Sequence, residues 1–403
     1  MKPSPAPPTL RLRVTPAAET KIRQGHPWVF DGSVRAQNRP GVDGELAAVF
    51  DRHDQFLAVG LYDAHSPIRL RVLHHGKPAR IDAAWFAENL ARSLSARAGL
   101  ADAATDGLRL VNGENDHWPG LVLDRYADVL VLKIYTAAWF PRLPLLVNLL
   151  NARLPHRAIV LRHSRNIRHD EYRDGMTLSG PPVTAPVIFH EHGLKFHADV
   201  ACGQKTGFFL DQRDNRRRVG QLAAGRAVLN VFSHTGGFSL HAARGGARAV
   251  TSVDLSPRAL AELRDNWRLN VGDATVRACP HEEIQADAFD WLARERRRYS
   301  LIILDPPSLA RREADRPAAL RAYQRLARAG LRLLADGGIL VCASCTAHIN
   351  AEEFINTIRA TVTASGKPMR ELALTAHAPD HPVTVRELAY LKAVFLQHRA
   401  PLS

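Results

Sequence analysis

The sequence predicts an α/β protein: a mostly parallel, doubly wound sheet ending in an antiparallel hairpin, preceded by a small β-barrel and an α+β middle region. Three observations carry that expectation. Residues 226–243 run from an apolar stretch (Val228, Leu229, Val231) through small residues into an amphipathic helical pattern, and a second apolar run follows that ends in Asp254. From Arg226 onward strand and helix patterns alternate, with strands expected at 227–232, 248–254, 275–279, 300–305 and 338–345. The last two apolar runs, 369–375 and 388–397, have no helix between them, so they should pair antiparallel.

Taken in order, residues 1–9 are proline-rich and expected to be disordered. Residues 10–78 hold short alternating segments separated by Gly, Pro, Asp and Asn, the pattern of a small barrel. Within it, Trp28 and Phe30 stand two apart and share one face of an extended segment, which suits the barrel core better than direct stacking on bases. Residues 79–185 read as α+β: a helix over 81–100, strands at 108–112, 121–125 and 129–135, a helix over 143–154 and a strand at 158–162. The segment 164–170 is basic and suits either RNA or solvent. The third domain, 186–403, opens with a hairpin over 187–197, and 205–216 then leads into a helix with Lys205, Asp211, Gln212 and Arg213 clustered before the glycine turn.

With 403 residues the chain can hold two or three sizeable cores. No apolar run approaches the roughly 18 residues of a membrane span, and the start has no apolar core, so no signal peptide and a cytoplasmic location are expected. Four cysteines are too few and too scattered for a disulfide framework. The net charge of +14 favours a polyanionic partner.

At the turn, Gly236 and Gly237 let the backbone approach a ligand, and the helix start leaves amide hydrogens facing it. Asp254 ends the next strand, where a carboxylate can bond a ribose hydroxyl. Ser233-His-Thr-Gly-Gly237 lacks the third spaced glycine of dinucleotide sites, so S-adenosylmethionine outranks a nicotinamide cofactor. The terminal hairpin points the same way.

Two further strand ends carry chemistry. Asp305-Pro306-Pro307 closes the fourth strand with a carboxylate and, because prolines lack donors, with carbonyls suited to an exocyclic amine. The fifth ends in Ser344-Cys345, a thiol at the same edge, as methylation of a pyrimidine at carbon 5 requires, because that carbon becomes nucleophilic only after addition at carbon 6. Cys342, within the strand, is expected to be packing. A Cys-x-x-Cys metal pair would want a second ligand pair, and no metal is expected.

With these motifs the chain resembles the bacterial large-subunit ribosomal RNA cytosine-5 methyltransferases of the RlmI type. The resemblance rests on Gly25-His-Pro-Trp-Val-Phe30, Gly113-Glu-Asn-Asp116, Lys205-Thr-Gly207, Leu210-Asp-Gln-Arg-Asp214, Asn230-Val-Phe-Ser-His-Thr-Gly-Gly-Phe238, Asp305-Pro-Pro307, Ser344-Cys345 and Asp380-His-Pro382. It implies a PUA-like RNA-binding barrel, a Rossmann-like class I methyltransferase domain, S-adenosylmethionine as cofactor, large-subunit ribosomal RNA as partner and 5-methylcytosine as product. It leaves room for a homodimer. It implies that Cys345 is the nucleophile and Asp305 holds the cytosine. Phe232, Thr235, Gly236, Gly237, Asp254 and Asp287 would contact the cofactor, with Gln212 and Arg213 shaping its site. Lys205, Pro306, Pro307 and Tyr323 would meet the substrate. The chain departs from the pattern at Ser308-Leu309, where many relatives have Lys-Phe, and over 323–327, where the run is Tyr-Gln-Arg-Leu-Ala. Those departures keep open an alternative, an RNA-binding ribosome-assembly factor with weak or lost activity.

Overall fold

The computed structural model describes residues 9–399; of the proline-rich start expected to be disordered, residues 1–8 lie outside the described residues. The chain forms two compact units. One comprises the chain up to Phe189 with Ala198–Phe208, and the other His190–His197 with the chain from Phe209 on.

The first unit contains two sheets. Strands β1 (Leu10–Val14), β2 (Trp28–Phe30), β3 (Val34–Gln37), β4 (Leu46–Phe50), β5 (Phe56–Tyr62) and β6 (Ile68–His75), with helix α1 (Pro16–Arg23), form a sheet in the order β2-β6-β5-β4-β1-β3. Alternation works as expected in β1, where Leu10, Leu12 and Val14 are buried between exposed arginines. In β2 the phase is opposite to expectation. Val29 points into the core, while Phe30 is 42% exposed and Trp28 is half-buried, its indole donating to Glu114 Oε1 at 2.9 Å. The polar end of the indole found a carboxylate, which a core position would have denied it.

The second sheet, ordered β11-β10-β9-β8-β7, is made of β7 (Gly107–Asn112), β8 (Leu121–Tyr126), β9 (Val129–Ile134), β10 (Ala158–His163) and β11 (Thr177–Ser179), with helices α2 (Ala83–Ser95) and α3 (Leu143–Arg153). Asp82 caps α2 by accepting the Trp85 amide. A hairpin, β12 (Val187–Glu191) and β13 (Leu194–Ala198), follows where the sequence placed it.

The second unit is the α/β domain. After α4 (Arg213–Leu222) come β14 (Ala227–Val231), α5 (Gly237–Arg244), β15 (Ala249–Asp254), α6 (Pro257–Leu269), α7 (Ala274–Ala278), β16 (His281–Gln285), α8 (Ala288–Arg294), β17 (Tyr299–Leu304), α9 (Arg316–Leu333), β18 (Leu334–Ser344), α10 (Ala351–Ala364), β19 (Met369–Thr375) and β20 (Lys392–His398). The strand expected at 275–279 is instead helix α7. Asp273 accepts the amides of Thr275 and Val276 and so starts a helix there, and the third strand follows as β16. As an edge strand, β16 reads His-Glu-Glu-Ile-Gln and lacks the apolar run that marked the others.

The seven strands lie in the order β16-β15-β14-β17-β18-β20-β19. The first five are parallel, and β20 alone is reversed, antiparallel to both its neighbours β18 and β19. Buried apolar residues of β14, β17 and β18, including Leu229, Ile302 and Leu340, form one core with Leu326 and Leu331 of α9 and Phe354 and Ile358 of α10. Truncating a wholly buried aromatic such as Phe354 to Ala would cost about 3–5 kcal/mol.

Register positions the site. Val231 lies beside Val253 on one side and Leu304 on the other, so Phe232, Asp254 and Asp305 meet at one sheet edge. Leu304 pairs with Cys342, and β18 runs on to Ser344, which puts Cys345 just past that edge.

Candidate active site

The turn after β14 is shaped by its backbone. Phe232, His234 and Gly236 all take positive φ (63°, 47° and 82°), costly for the two side-chain-bearing residues and so sustained only by the surroundings. A Cβ on Gly236 would lie 2.6 Å from Leu263 Cγ. Asp254 holds the turn from the next strand: its Oδ2 accepts the His234 amide at 2.8 Å and its Oδ1 the Ser256 amide at 2.9 Å. Thr235 is buried and its carbonyl accepts from Asn266 Nδ2 at 2.9 Å. Gly237 opens α5, whose first turn has no side-chain cap. Asp287 caps α8 through the Phe289 and Asp290 amides at 2.9 and 3.1 Å and is otherwise exposed.

Beneath the turn, α5 rests on buried charge. His241 Nε2 lies 3.0 Å from Glu191, which Arg216 of α4 grips with two bonds at 2.6 and 2.5 Å. Burial pushes the Glu191 carboxyl up, but Arg216 and His241 outweigh it and hold it well below the usual carboxylate range. Burial lowers His241 more than Glu191 raises it, so the ring is neutral at pH 7 and donates through Nε2.

The other end of the edge is made of side chains. Asp305 is half-buried, Pro306 buried and Pro307 exposed. Asp305 Oδ1 accepts from Gln212 Nε2 at 3.0 Å, Gln212 Oε1 accepts from Asn215 Nδ2 at 2.6 Å, and Asn215 Oδ1 accepts from the Thr375 hydroxyl at 2.6 Å. Gln212, expected to shape the cofactor site, bonds the Asp305 carboxylate. Arg213, expected beside it, turns away: its fork meets Asp380 in two bonds of 2.9 Å, both residues buried. Burial pushes Asp380 up, yet His381 and Arg213 keep it far below the carboxylate range, so Arg213 anchors the 380–382 segment.

Cys345 is half-buried with its Sγ 3.8 Å from the Pro306 carbonyl, which brings the thiol onto the Asp305 turn. Cys342 is buried in β18, and burial pushes its thiol up to about 12, leaving it un-ionised at neutral pH. Tyr323, expected to meet the substrate, is 2% exposed; its hydroxyl joins Ser344 Oγ at 2.8 Å and Thr346 Oγ1 at 2.9 Å, on either side of Cys345. Burial raises its pKa to about 12. It is a strut under the thiol. At the departures from the resemblance, the Ser308 hydroxyl donates to the Ala310 carbonyl at 3.1 Å, the Leu309 backbone amide donates to Thr346 Oγ1 at 3.2 Å, and Ala327 is wholly buried in the core. Lys205 belongs to the first unit, where φ is +52° and its carbonyl accepts from Lys133 Nζ at 2.7 Å.

A family model described as an S-adenosylmethionine-dependent methyltransferase matches residues 145–396, and one for a PUA-like domain matches 12–75. The chain belongs to the S-adenosylmethionine-dependent methyltransferase family. A Deinococcus radiodurans protein named "Ribosomal RNA large subunit methyltransferase" is 54% identical over 98% of this chain and 99% of its own. A Shewanella amazonensis protein named "Ribosomal RNA large subunit methyltransferase I" is 33% identical over 93% and 95%. Among solved structures, a candidate SAM-dependent methyltransferase from Streptococcus mutans superposes with a TM-score of 0.79 at 23% identity over 96% of this chain and 99% of that one. Another methyltransferase-like structure, in complex with SAH, gives 0.81 at 24% identity over the same shares. These bear out the class I Rossmann-like methyltransferase fold, the PUA-like barrel and the cofactor class.

The residues at the glycine turn of this methyltransferase fit that cofactor. Among the described residues the buried Ser233 hydroxyl and the Asn230 side-chain oxygen Oδ1 have no hydrogen-bond partner, Gly236 holds a left-handed turn that leaves no room for a Cβ, and Asp254 keeps a carboxylate at the strand end. Ser233 was not singled out in the sequence. Its signal is a small hydroxyl directly after a strand, too common to point to a site.

Proposed function

We propose that this methyltransferase forms 5-methylcytosine in large-subunit ribosomal RNA through a covalent adduct on Cys345. The observation that carries the reading is the thiol lying 3.8 Å from the Pro306 carbonyl, on the turn that also carries Asp305. Methylation of an exocyclic or ring nitrogen has no use for a nucleophile there. The relatives' names support the RNA class, and the +14 charge suits a polyanion.

In this reading Phe232, Thr235, Gly236, Gly237, Asp254 and Asp287 hold S-adenosylmethionine, which supplies an electrophilic methyl group when bound. The Asp305 carboxylate, oriented by Gln212, accepts from the cytosine amine, and the Pro306 and Pro307 carbonyls line the same turn. The Cys345 thiolate adds to carbon 6, and the electron pair of the 5,6 double bond moves to carbon 5, which takes the methyl group. Loss of the carbon 5 proton to a base then restores the double bond and expels the thiolate.

RNA containing 5-fluorocytosine tests this, because fluorine cannot leave as a proton does. The wild-type enzyme with cofactor should form a protein–RNA complex that survives denaturing electrophoresis, and bisulfite sequencing of ribosomal RNA from a deletion strain should show one cytosine losing protection. Methylation without any trapped complex would replace this chemistry with direct transfer.

A further inference from the structure

We propose that Lys392 is a positioning residue for this reaction: its buried ammonium fixes the turn that presents Cys345 and sets a positive charge beside the thiol, favouring the thiolate. The proposal rests on Cys345 being the nucleophile. Lys392 opens β20 and pairs in register with Ser344, the residue before Cys345. Its side chain is 2% exposed. The ammonium donates to the carbonyls of Thr346 and Ile349 at 2.5 Å each and of Tyr390 at 3.1 Å, so its three protons meet three carbonyls. Ser344 is thus held through the sheet and Thr346 through the ammonium, which clamps the backbone on both sides of the thiol.

The charge is the informative part. Among the described residues no carboxylate makes an ion pair with Lys392, and burying a cation without one is costly. A methionine would fill the same space without that cost, so packing alone does not explain a lysine here. Burial brings its pKa down to about 8, while Cys345 and then Glu353 act the other way, and it remains largely charged at pH 7. The groups around the thiol divide by sign. Asp305, on the Pro306 turn, disfavours a second anion; Tyr323 is a neutral hydroxyl from α9; Glu353 of α10 acts on the ammonium; Lys392 is the cation. A thiolate beside Asp305 needs such a counter-charge, as a neighbouring cation lowers a thiol pKa.

The test is the pH profile of iodoacetamide alkylation at Cys345, followed by mass spectrometry in a Cys202→Ser background that removes the exposed cysteine. Full-length wild type should show a midpoint below the ordinary thiol value of about 8.5. Lys392→Met should move it up by about one unit and slow alkylation at pH 7 by roughly tenfold, with S-adenosylmethionine affinity unchanged. Lys392→Arg, which keeps the charge but cannot meet three carbonyls alike, should hold the midpoint near wild type while lowering kcat. A wild-type midpoint at or above 8.5, or an unmoved profile in a Lys392→Met protein that binds cofactor, overturns the proposal, and the wild-type arm decides even if that variant fails to fold. Failure of the nucleophile reading shows separately, as methylation by Cys345→Ala.

Discussion

Along the carboxyl edge of the seven-stranded sheet, the ends of β14 and β15 are built from backbone and the ends of β17 and β18 from side chains. At the first, residues in the left-handed region and two amides bound by Asp254 create the shape. At the second, a carboxylate and a thiol are oriented by groups from α4, α9, β19 and β20. Asp254 and Cys345 stand at the ends of β15 and β18, three strand spacings or about 14 Å apart. The difference teaches that the glycine turn is assembled largely from neighbours in sequence, whereas the carboxylate and the thiol are positioned by distant partners. The two ends should therefore fail independently.

The largest expected effect breaks only the second end. Cys345→Ala should lower methylation by on the order of 10⁴-fold or more and abolish the 5-fluorocytosine complex, because nothing else at β18 can add to carbon 6. Isothermal titration should give S-adenosylmethionine affinity within about twofold of wild type. If affinity falls along with rate, the two ends are one site energetically.

The mirror experiment breaks the first end. Asp254→Ala should weaken S-adenosylmethionine binding by about 1.5–3 kcal/mol, since a charge-assisted ribose bond goes and the His234 amide loses its acceptor. At saturating cofactor the alkylation profile of Cys345 should stay as in wild type. Unchanged affinity would mean that the ribose is held elsewhere.

This asymmetry also explains what the sequence disclosed. The turn at 232–237, Asp254 and four of the five parallel strands were legible because each is a local pattern of apolar runs and small residues. Gln212 was placed on the cofactor side because it precedes the glycine turn in sequence, yet its partner Asp305 is 93 residues away. Tyr323 looked like a substrate contact until Ser344 and Thr346 claimed its hydroxyl in the core. Strand β16 was missed for a different reason. At a sheet edge its polar residues are exposed or half-buried, and no apolar period forms.

Acid should act unequally on the two ends. His281 of β16 stacks on Trp267 with ring centroids 4.0 Å apart, and burial lowers its pKa to about 4; His241 under α5 is lowered in the same direction. A folded-state pKa below the unfolded value of about 6.5 means that the unfolded chain takes up the proton first as pH falls, so stability is full above 6.5 and is lost down to about 4. For His281 alone the loss at pH 5 is about 2 kcal/mol. Hydrogen exchange should show β15 and β16 amides losing protection between pH 7 and 5 before those of β18 and β20. His281→Gln should flatten that dependence, and equal loss across the sheet would remove the distinction.

The smallest effect separates two cysteines three residues apart on one strand. Cys342 pairs with Leu304 in the sheet, is 3% exposed and packs in the same core as Leu340 and Val394. With its thiol pushed up to about 12 it stays un-ionised at neutral pH and acts as a small apolar side chain. Cys342→Ala removes one buried sulfur and should cost about 1 kcal/mol in urea denaturation, with methylation per folded enzyme unchanged. Iodoacetamide should label Cys345 and spare Cys342 until the protein unfolds. A Cys342→Ala enzyme that folds normally but methylates slowly would mean that the strand, and not only the turn beyond it, sets the thiol's position, and the side-chain-built end would then extend back into the sheet.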